Sequence, residues 1–242
     1  MKDIAPQRFF DALDATWAPQ EFQKSSPFKM RVGNGGGKRV SAATLEEDSF
    51  NIKDIETISQ DMLALGQDPL FMLKPGQEDF DQTLDKKGFS LVDPVTLYAI
   101  PAETLSKQVE PGLTSIPCAL PLAAQKEIWA LDDIGPARIE VMERSASPKT
   151  YLLGRHEDRI AGTVFVSCDR EIAMLHALVV HPRARRQGMA KRLTLACAKW
   201  AKGQGADILA LMATRENKPA CALYESLGMT AVSHYHYRIK TE

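Results

Sequence analysis

Residues 181–190, HPRARRQGMA, place three arginines and a glycine directly after the apolar run IAMLHALVV. From Gly188 the pattern turns helical. Leu193, Ala196, Cys197 and Trp200 recur on one face, and Lys191, Lys199 and Lys202 lie on the other. The arginine stretch therefore falls between a strand and a helix. A helix N-terminus offers unpaired backbone N–H groups and the positive end of the helix dipole. Gly188 permits close backbone approach, Ala190 keeps the first turn small, and Arg185 and Arg186 add charged donors, which together suit a phosphate or pyrophosphate. Between Ala173 and Ala206 there are seven Lys or Arg and no acid. On these residues alone, a solvated basic helix start fits equally well.

Two other stretches invite a chemical reading. In the tail SHYHYRIK, His234 and His236 share one face of a strand. A metal site there has no further Cys, His or carboxylate nearby in sequence, so no metal is expected and the pair is a candidate for lining a substrate pocket. GNGGGKRVSAATL (33–45) lacks the spacing and the Ser/Thr of a P-loop. A glycine-rich hairpin between FKMRV and KRVSAATL is the expectation, although four glycines in five positions exceed what a turn needs.

These residues need elements to hold them. Thr150–Cys168 reads as a hairpin, Glu171–Val180 as a buried third strand ended by Pro182, and Gly203 and Gly205 close the helix after Gly188. A strand at Ile208–Met212 follows. A helix over Lys218–Leu227 then buries Ala220, Leu223, Tyr224 and Leu227, and a last strand runs over Thr230–Lys240. The order β-β-β-α-β-α-β predicts an α/β chain of the α+β type with a mixed sheet. With 44% hydrophobic residues, 25% charged and a net charge of −1 over 242 residues, the composition is that of a globular protein without a global nucleic-acid or membrane signature. Four scattered cysteines without C-x-x-C spacing read as reduced thiols. The acidic, proline-containing start has no signal-peptide core, and no apolar run approaches the ~20 residues of a membrane span. A cytoplasmic location is expected.

V-x-P-x-x-R-x-x-G-x-A at Val180–Ala190, followed by N-x-x-A-x-x-x-Y-x-x-x-G-M at Asn217–Met229, resembles the GNAT superfamily of acyl-CoA N-acyltransferases over about residues 139–240. The resemblance implies acetyl-CoA as co-substrate. It places Arg185, Arg186, Gln187, Gly188, Met189 and Ala190 at the pyrophosphate, Leu178 and Val180 along pantetheine, Asn217 at the CoA arm and Tyr224 at the thioester. LHALVVHPRARRQG is also similar to the arylalkylamine N-acetyltransferases. That likeness implies His176 facing the acceptor as a base; the second relay histidine of that group is Met174 here. The implied chemistry is acetyl transfer to the primary amine of a small molecule in a ternary complex, with His176 taking a proton and Tyr224 giving one. From the residues alone, Tyr224 also reads as core and His176 as a structural histidine.

The first half aligns with the second when Gly88-Phe89 is set on Gly228-Met229, so that PLFMLKPGQEDFDQTLDKKGFSLVDPVTLYAI (69–100) overlies 209–240 and Ile52–Gly66 overlies the helix after Gly188. Where the arginine loop should be stands LEEDSFN, and Leu84 replaces the tyrosine. The expectation is two GNAT-like halves in tandem: residues 1–117 a degenerate domain with a connector over 101–117, and 118–242 the catalytic domain. A helix over 119–128 and a first strand near Ile139–Met142 are expected. Lys38, Arg39 and Ser41 are candidates to reach the interdomain cleft and bind an acceptor carboxylate, and Trp129 with 132–138 to wall the acceptor site. The rival readings are a non-catalytic CoA-binding module and an acetyltransferase for a protein or nucleic-acid-linked amine. A monomer or homodimer is expected, with no membrane partner.

Overall fold

The computed structural model describes residues 4–108 and 115–241. The first half runs α1 (Pro6–Thr16), β1 (Glu21–Ser25), β2 (Phe28–Val32), α2 (Lys38–Ser41), β3 (Thr44–Leu45), α3 (Ile52–Ala64), β4 (Leu70–Leu73), α4 (Glu78–Lys86) and β5 (Ser90–Pro101). The second runs α5 (Ala102–Ser106), β6 (Ser115–Cys118), α6 (Ala123–Ala130), α7 (Pro136–Arg144), β7 (Lys149–His156), β8 (Arg159–Asp169), β9 (Ile172–Val180), α8 (Met189–Gly203), β10 (Ile208–Thr214), α9 (Lys218–Ser226) and β11 (Thr230–Ile239), with a 3₁₀ turn at Pro182–Ala184.

Eight strands form one mixed sheet in the order β4-β11-β5-β10-β9-β8-β7-β6. A smaller sheet, β1-β2-β3, is tied to it where Ala43 N–H donates to Leu70 O and Met72 N–H to Ala43 O, both at 2.9 Å. The halves interleave. β5 of the first half lies antiparallel between β10 and β11 of the second, and β11 pairs onward with β4 of the first. Each half thus seats its last strand in the other. The element orders α3-β4-α4-β5 and α8-β10-α9-β11 correspond as the repeat alignment requires, and α4 and α9 are both nine residues long. The sheet has a core on each face. Alternate residues of β9 show the division: Ile172 and Met174 pack with α1 and Trp129, whereas Ala173 and Leu175 pack beneath α8 and α9.

Four expectations are corrected. Ile139–Met142 lies in helix α7, not a strand; Pro136 opens the helix, where its missing N–H costs nothing, and Ile139, Val141 and Met142 form its buried face. The helix expected over 119–128 begins only at Ala123, because Pro121 holds Leu120 out of helical backbone and leaves it 72% exposed. The connector expected over 101–117 contains α5, with Ala102 and Leu105 buried, and edge strand β6; residues 109–114 lie outside those described. FKMRV forms its hairpin with β1 rather than across the glycines, and KRVS is a helical turn. The glycines answer to packing. A Cβ on Gly36 would lie 2.7 Å from Val141 and Val40, one on Gly33 would run into Ser41, and Gly35 and Gly37 have positive φ. The loop is thin because α7 packs onto it.

Candidate active site

Strand β9 carries two breaks in its ladders. Against β8, Thr163 pairs with Val179 but Phe165 pairs with His176, so Ala177 and Leu178 together face Val164 and form a bulge. Ala177 has φ 51°, left-handed for a residue with a side chain, and Trp129 Nε1 donates to its carbonyl at 2.7 Å. Against β10, the parallel ladder ends at Leu175–Leu211, although β9 continues to Val180 and β10 to Thr214. The two strands part there. Ala177, Leu178, Val180 and Met212, at the parting, are half-buried.

β9 leads straight into the arginine loop. Arg185, Arg186, Gln187 and Gly188 are exposed, and Gly188 sits at φ 79° as the residue before α8 with no side chain capping the helix. Arg185 Nε donates to Val180 O at 3.3 Å, which folds the loop back over the strand end. Met189 takes no part by its side chain, which is buried against Gly154 and Gly162; only its backbone N–H and that of half-buried Ala190 face the loop side. In the first half the corresponding helix start is closed. Asn51 and Asp54 of α3 cap each other, with Asp54 N–H donating to Asn51 Oδ1 at 3.1 Å and Asn51 N–H to Asp54 Oδ2 at 2.8 Å. An anion therefore has open donors at α8 and a carboxylate already in place at α3. The α8 site fits a pyrophosphate.

His176 lies on the α1 face of the sheet, buried beside Trp17 (5.1 Å between ring centroids) and Phe165 (6.1 Å). Its Nε2 is 2.9 Å from Thr16 Oγ1, and that hydroxyl donates to Ala12 O at 2.6 Å. The Thr16 proton being committed, Nε2 must be the donor, which leaves Nδ1 with a free lone pair. Burial, and secondly the charge of Arg39, hold the imidazole well below its ordinary pKa, so it is neutral at pH 7. Tyr224 is buried in the other core, with its ring 6.0 Å from Tyr98. Burial, with Cys197 and Cys221 nearby, raises its pKa, so the phenol keeps its proton at neutral pH.

The remaining candidates divide. Asn217 caps α9 through Ala220 N–H at 3.2 Å. Lys38 pairs with Asp93 at 2.6 Å on the surface, and Ser41 donates to Gly37 O at 3.2 Å, so neither reaches His176. Arg39 does, because it projects onto the sheet face shared by His176, Tyr235 and Tyr237. His236 sits 3.0 Å from Asp81 of α4 beside the Arg238–Asp81 pair, and His234 is exposed. The histidine face of β11 thus binds α4, and it is the alternate tyrosine face that turns toward Arg39. Thr16 and Trp17 had no sequence signal, since both come from the end of a helix far from the motifs. A groove of about 430 Å³ between α3 and the end of β11, lined by Ile55, Leu63, Phe89 and Lys240, shares no residue with this region. Among the described residues no cluster of His, Cys, Asp and Glu could hold a metal, and no helix is long and apolar enough to cross a membrane.

Residues 121–229 match the acetyltransferase (GNAT) family. An uncharacterized N-acetyltransferase, YobR of Bacillus subtilis (strain 168), is 29% identical over 118 residues, which is 47% of this chain and 48% of that protein, so the match spans about half the length of each. A GCN5-related N-acetyltransferase from Kribbella flavida superposes with a TM-score of 0.76 at 17% identity over 97% of this chain and 95% of its own. A tandem GNAT protein from the clavulanic acid biosynthesis pathway superposes with a TM-score of 0.57 at 12% identity over 94% and 86%. The chain has the fold of these GNAT structures, and the segment that matches the acetyltransferase (GNAT) family, residues 121–229, holds the parted strands, the arginine loop and Tyr224.

Proposed function

We propose that the chain is an acetyl-CoA-dependent N-acetyltransferase for the primary amine of a small molecule. The observation that carries this reading is the parting of β9 from β10 after Leu175–Leu211, immediately followed by an uncapped helix start with an exposed arginine loop. Backbone groups along Leu178–Val180 would hold pantetheine, and the N–H groups of 188–190 with Arg185 and Arg186 the pyrophosphate. Asn217 caps α9 through its Oδ1, so its amide NH2 would be the group offered to the CoA arm. Acetyl-CoA supplies an acetyl group activated as a thioester. His176 Nδ1 accepts the proton of the attacking amine, Tyr224 gives its phenol proton to the departing sulfur, and the new C–N bond replaces the C–S bond. The two groups lie on opposite faces of the sheet, and in this reading the substrates would meet where the strands part. In this reading 118–242 provides the chemistry and 1–117 closes the acceptor side with Trp17 and Arg39.

The test is the melting temperature with and without acetyl-CoA, for wild type and Gly188→Glu. Ligand at a hundred times its Kd adds about 2.7 kcal/mol, or about 5–10 °C for a chain of this size. A shift in wild type that disappears in the folded variant supports the reading. No shift in folded wild type removes it.

A further inference from the structure

Arg39 is a charged group without a counter-charge. It is half-buried, its Nε is shielded from solvent with no hydrogen-bond partner, and its guanidinium is met by the hydroxyls of Tyr235 and Tyr237. Both tyrosine rings are buried in the core, and burial raises the pKa of Tyr237, so its phenol keeps its proton at pH 7. Among the described residues Arg39 forms no ion pair, whereas three arginines that tie elements together hold carboxylates; Arg144, which donates to Ala18 O, is tied by a backbone carbonyl instead. Arg8 holds Asp169 and Glu171, Arg31 holds both oxygens of Asp14 through Nε and Nη2, and Arg238 holds Asp81 and Asp85. A guanidinium removed from water without an anion is unfavourable, and a fold retains one where a ligand completes it.

Its placement is also enforced. Gly33 and Gly36 leave no room for a Cβ against Ser41, Val40 and Val141, so the glycine loop and α7 fix the turn that carries Arg39. That turn sets the guanidinium close enough to His176 for its charge to oppose protonation of the imidazole.

We propose that Arg39, with the hydroxyl of Tyr235, binds a carboxylate of the acceptor, so that the amine presented to His176 belongs to an amino acid or another small molecule bearing a carboxylate beside its amine. The inference rests on the acetyltransferase reading above. The planar fork of N–H donors matches the two oxygens of a carboxylate, and the Tyr235 hydroxyl, which accepts from Tyr237, adds a donor on its flank. Binding has a chemical consequence. The bound carboxylate offsets the Arg39 charge, which removes the part of the field that works against His176 as a base, so a correct acceptor improves the group that deprotonates it.

The test measures binding by calorimetry to the full chain saturated with CoA. The probes are the proteinogenic amino acids, their α-carboxamides and the matching amines without a carboxylate. At least one acid should bind, with its amide and amine weaker by roughly ten- to a hundred-fold, the loss expected for a charge-assisted pair. Arg39→Gln should erase that preference while acetyl-CoA affinity stays. Arg39→Lys, which keeps the charge, should keep part of the preference. No acid preferred over its amide in wild type overturns the proposal without reference to any variant, and so does a preference that survives in folded Arg39→Gln. Acetyl-CoA affinity, measured in parallel, separates the two readings. If acetyl-CoA does not bind, the acetyltransferase reading falls; if it binds and no acid is preferred, only the carboxylate assignment does.

Discussion

At the scale of residues, the candidate acid and base are set by burial more than by their neighbours. Tyr224 keeps its proton because its ring lies in the core, and His176 stays neutral for the same reason. Removing the Tyr224 hydroxyl with Phe should leave acetyl-CoA affinity intact and lower kcat by roughly 10²-fold or more, the usual contribution of a positioned proton donor. Steady-state kinetics with an identified acceptor would decide it; an unchanged kcat means that water protonates the sulfur. The histidine also carries a stability signature. The folded chain binds its proton less readily than the unfolded chain does, so its contribution is complete above an unfolded pKa of about 6.5 and is lost as pH falls below that value. Wild type should therefore lose melting temperature between pH 7.5 and 5, and His176→Asn should lose less. Parallel curves for the two proteins would contradict the burial argument. The role of His176 was suggested by likeness to another enzyme group, but its tautomer depends on Thr16 and Ala12, which no motif announces.

The elements show where local pattern is informative and where it is not. The hairpin β7–β8 is legible from two β-branched and aromatic runs about a polar turn, β9 from a continuous apolar run ended by Pro182, and the helices after Gly188 and Asn217 from an apolar repeat closed by glycine. Helix α7 stands where the family resemblance, and not the pattern of the residues, led to the expectation of a first strand near Ile139–Met142. The glycine loop was legible as a turn, but not its reason, which is contact with α7 from a distant part of the chain. Gly36→Ala would push a Cβ to within 2.7 Å of Val40 and Val141, both fully buried. Overpacking of this kind costs about 1–3 kcal/mol, or about 2–10 °C in this size of chain. Gly203→Ala, where no atom lies within 4 Å, is the control and should leave the melting temperature unchanged or slightly raised. Equal losses in the two variants would show that the loop yields.

Over the whole molecule, the exchange of β5 and β11 makes each half depend on the other. Residues 118–242 expressed alone lack β5, so β10 and β11 lose the strand between them and the α1 face of β9 loses Trp17 and Thr16. That fragment should show no cooperative melting and no stabilisation by acetyl-CoA; a well-folded fragment with a normal shift would mean that the halves are separable. The sequence by itself determined the mixed α/β class, the element order of the second half, the correspondence between the halves and the arginine loop at a strand-to-helix junction. These depend on periodicity and on residues within one turn of each other, and such interactions are local. The tertiary structure alone decided that β5 enters the other half's sheet, that β9 parts from β10, that Tyr235 and Tyr237 rather than His234 and His236 turn toward Arg39, and that Arg39 lies near His176. Each of these depends on strand pairing or packing between segments distant in sequence, and the register of a strand sets which of its faces is buried.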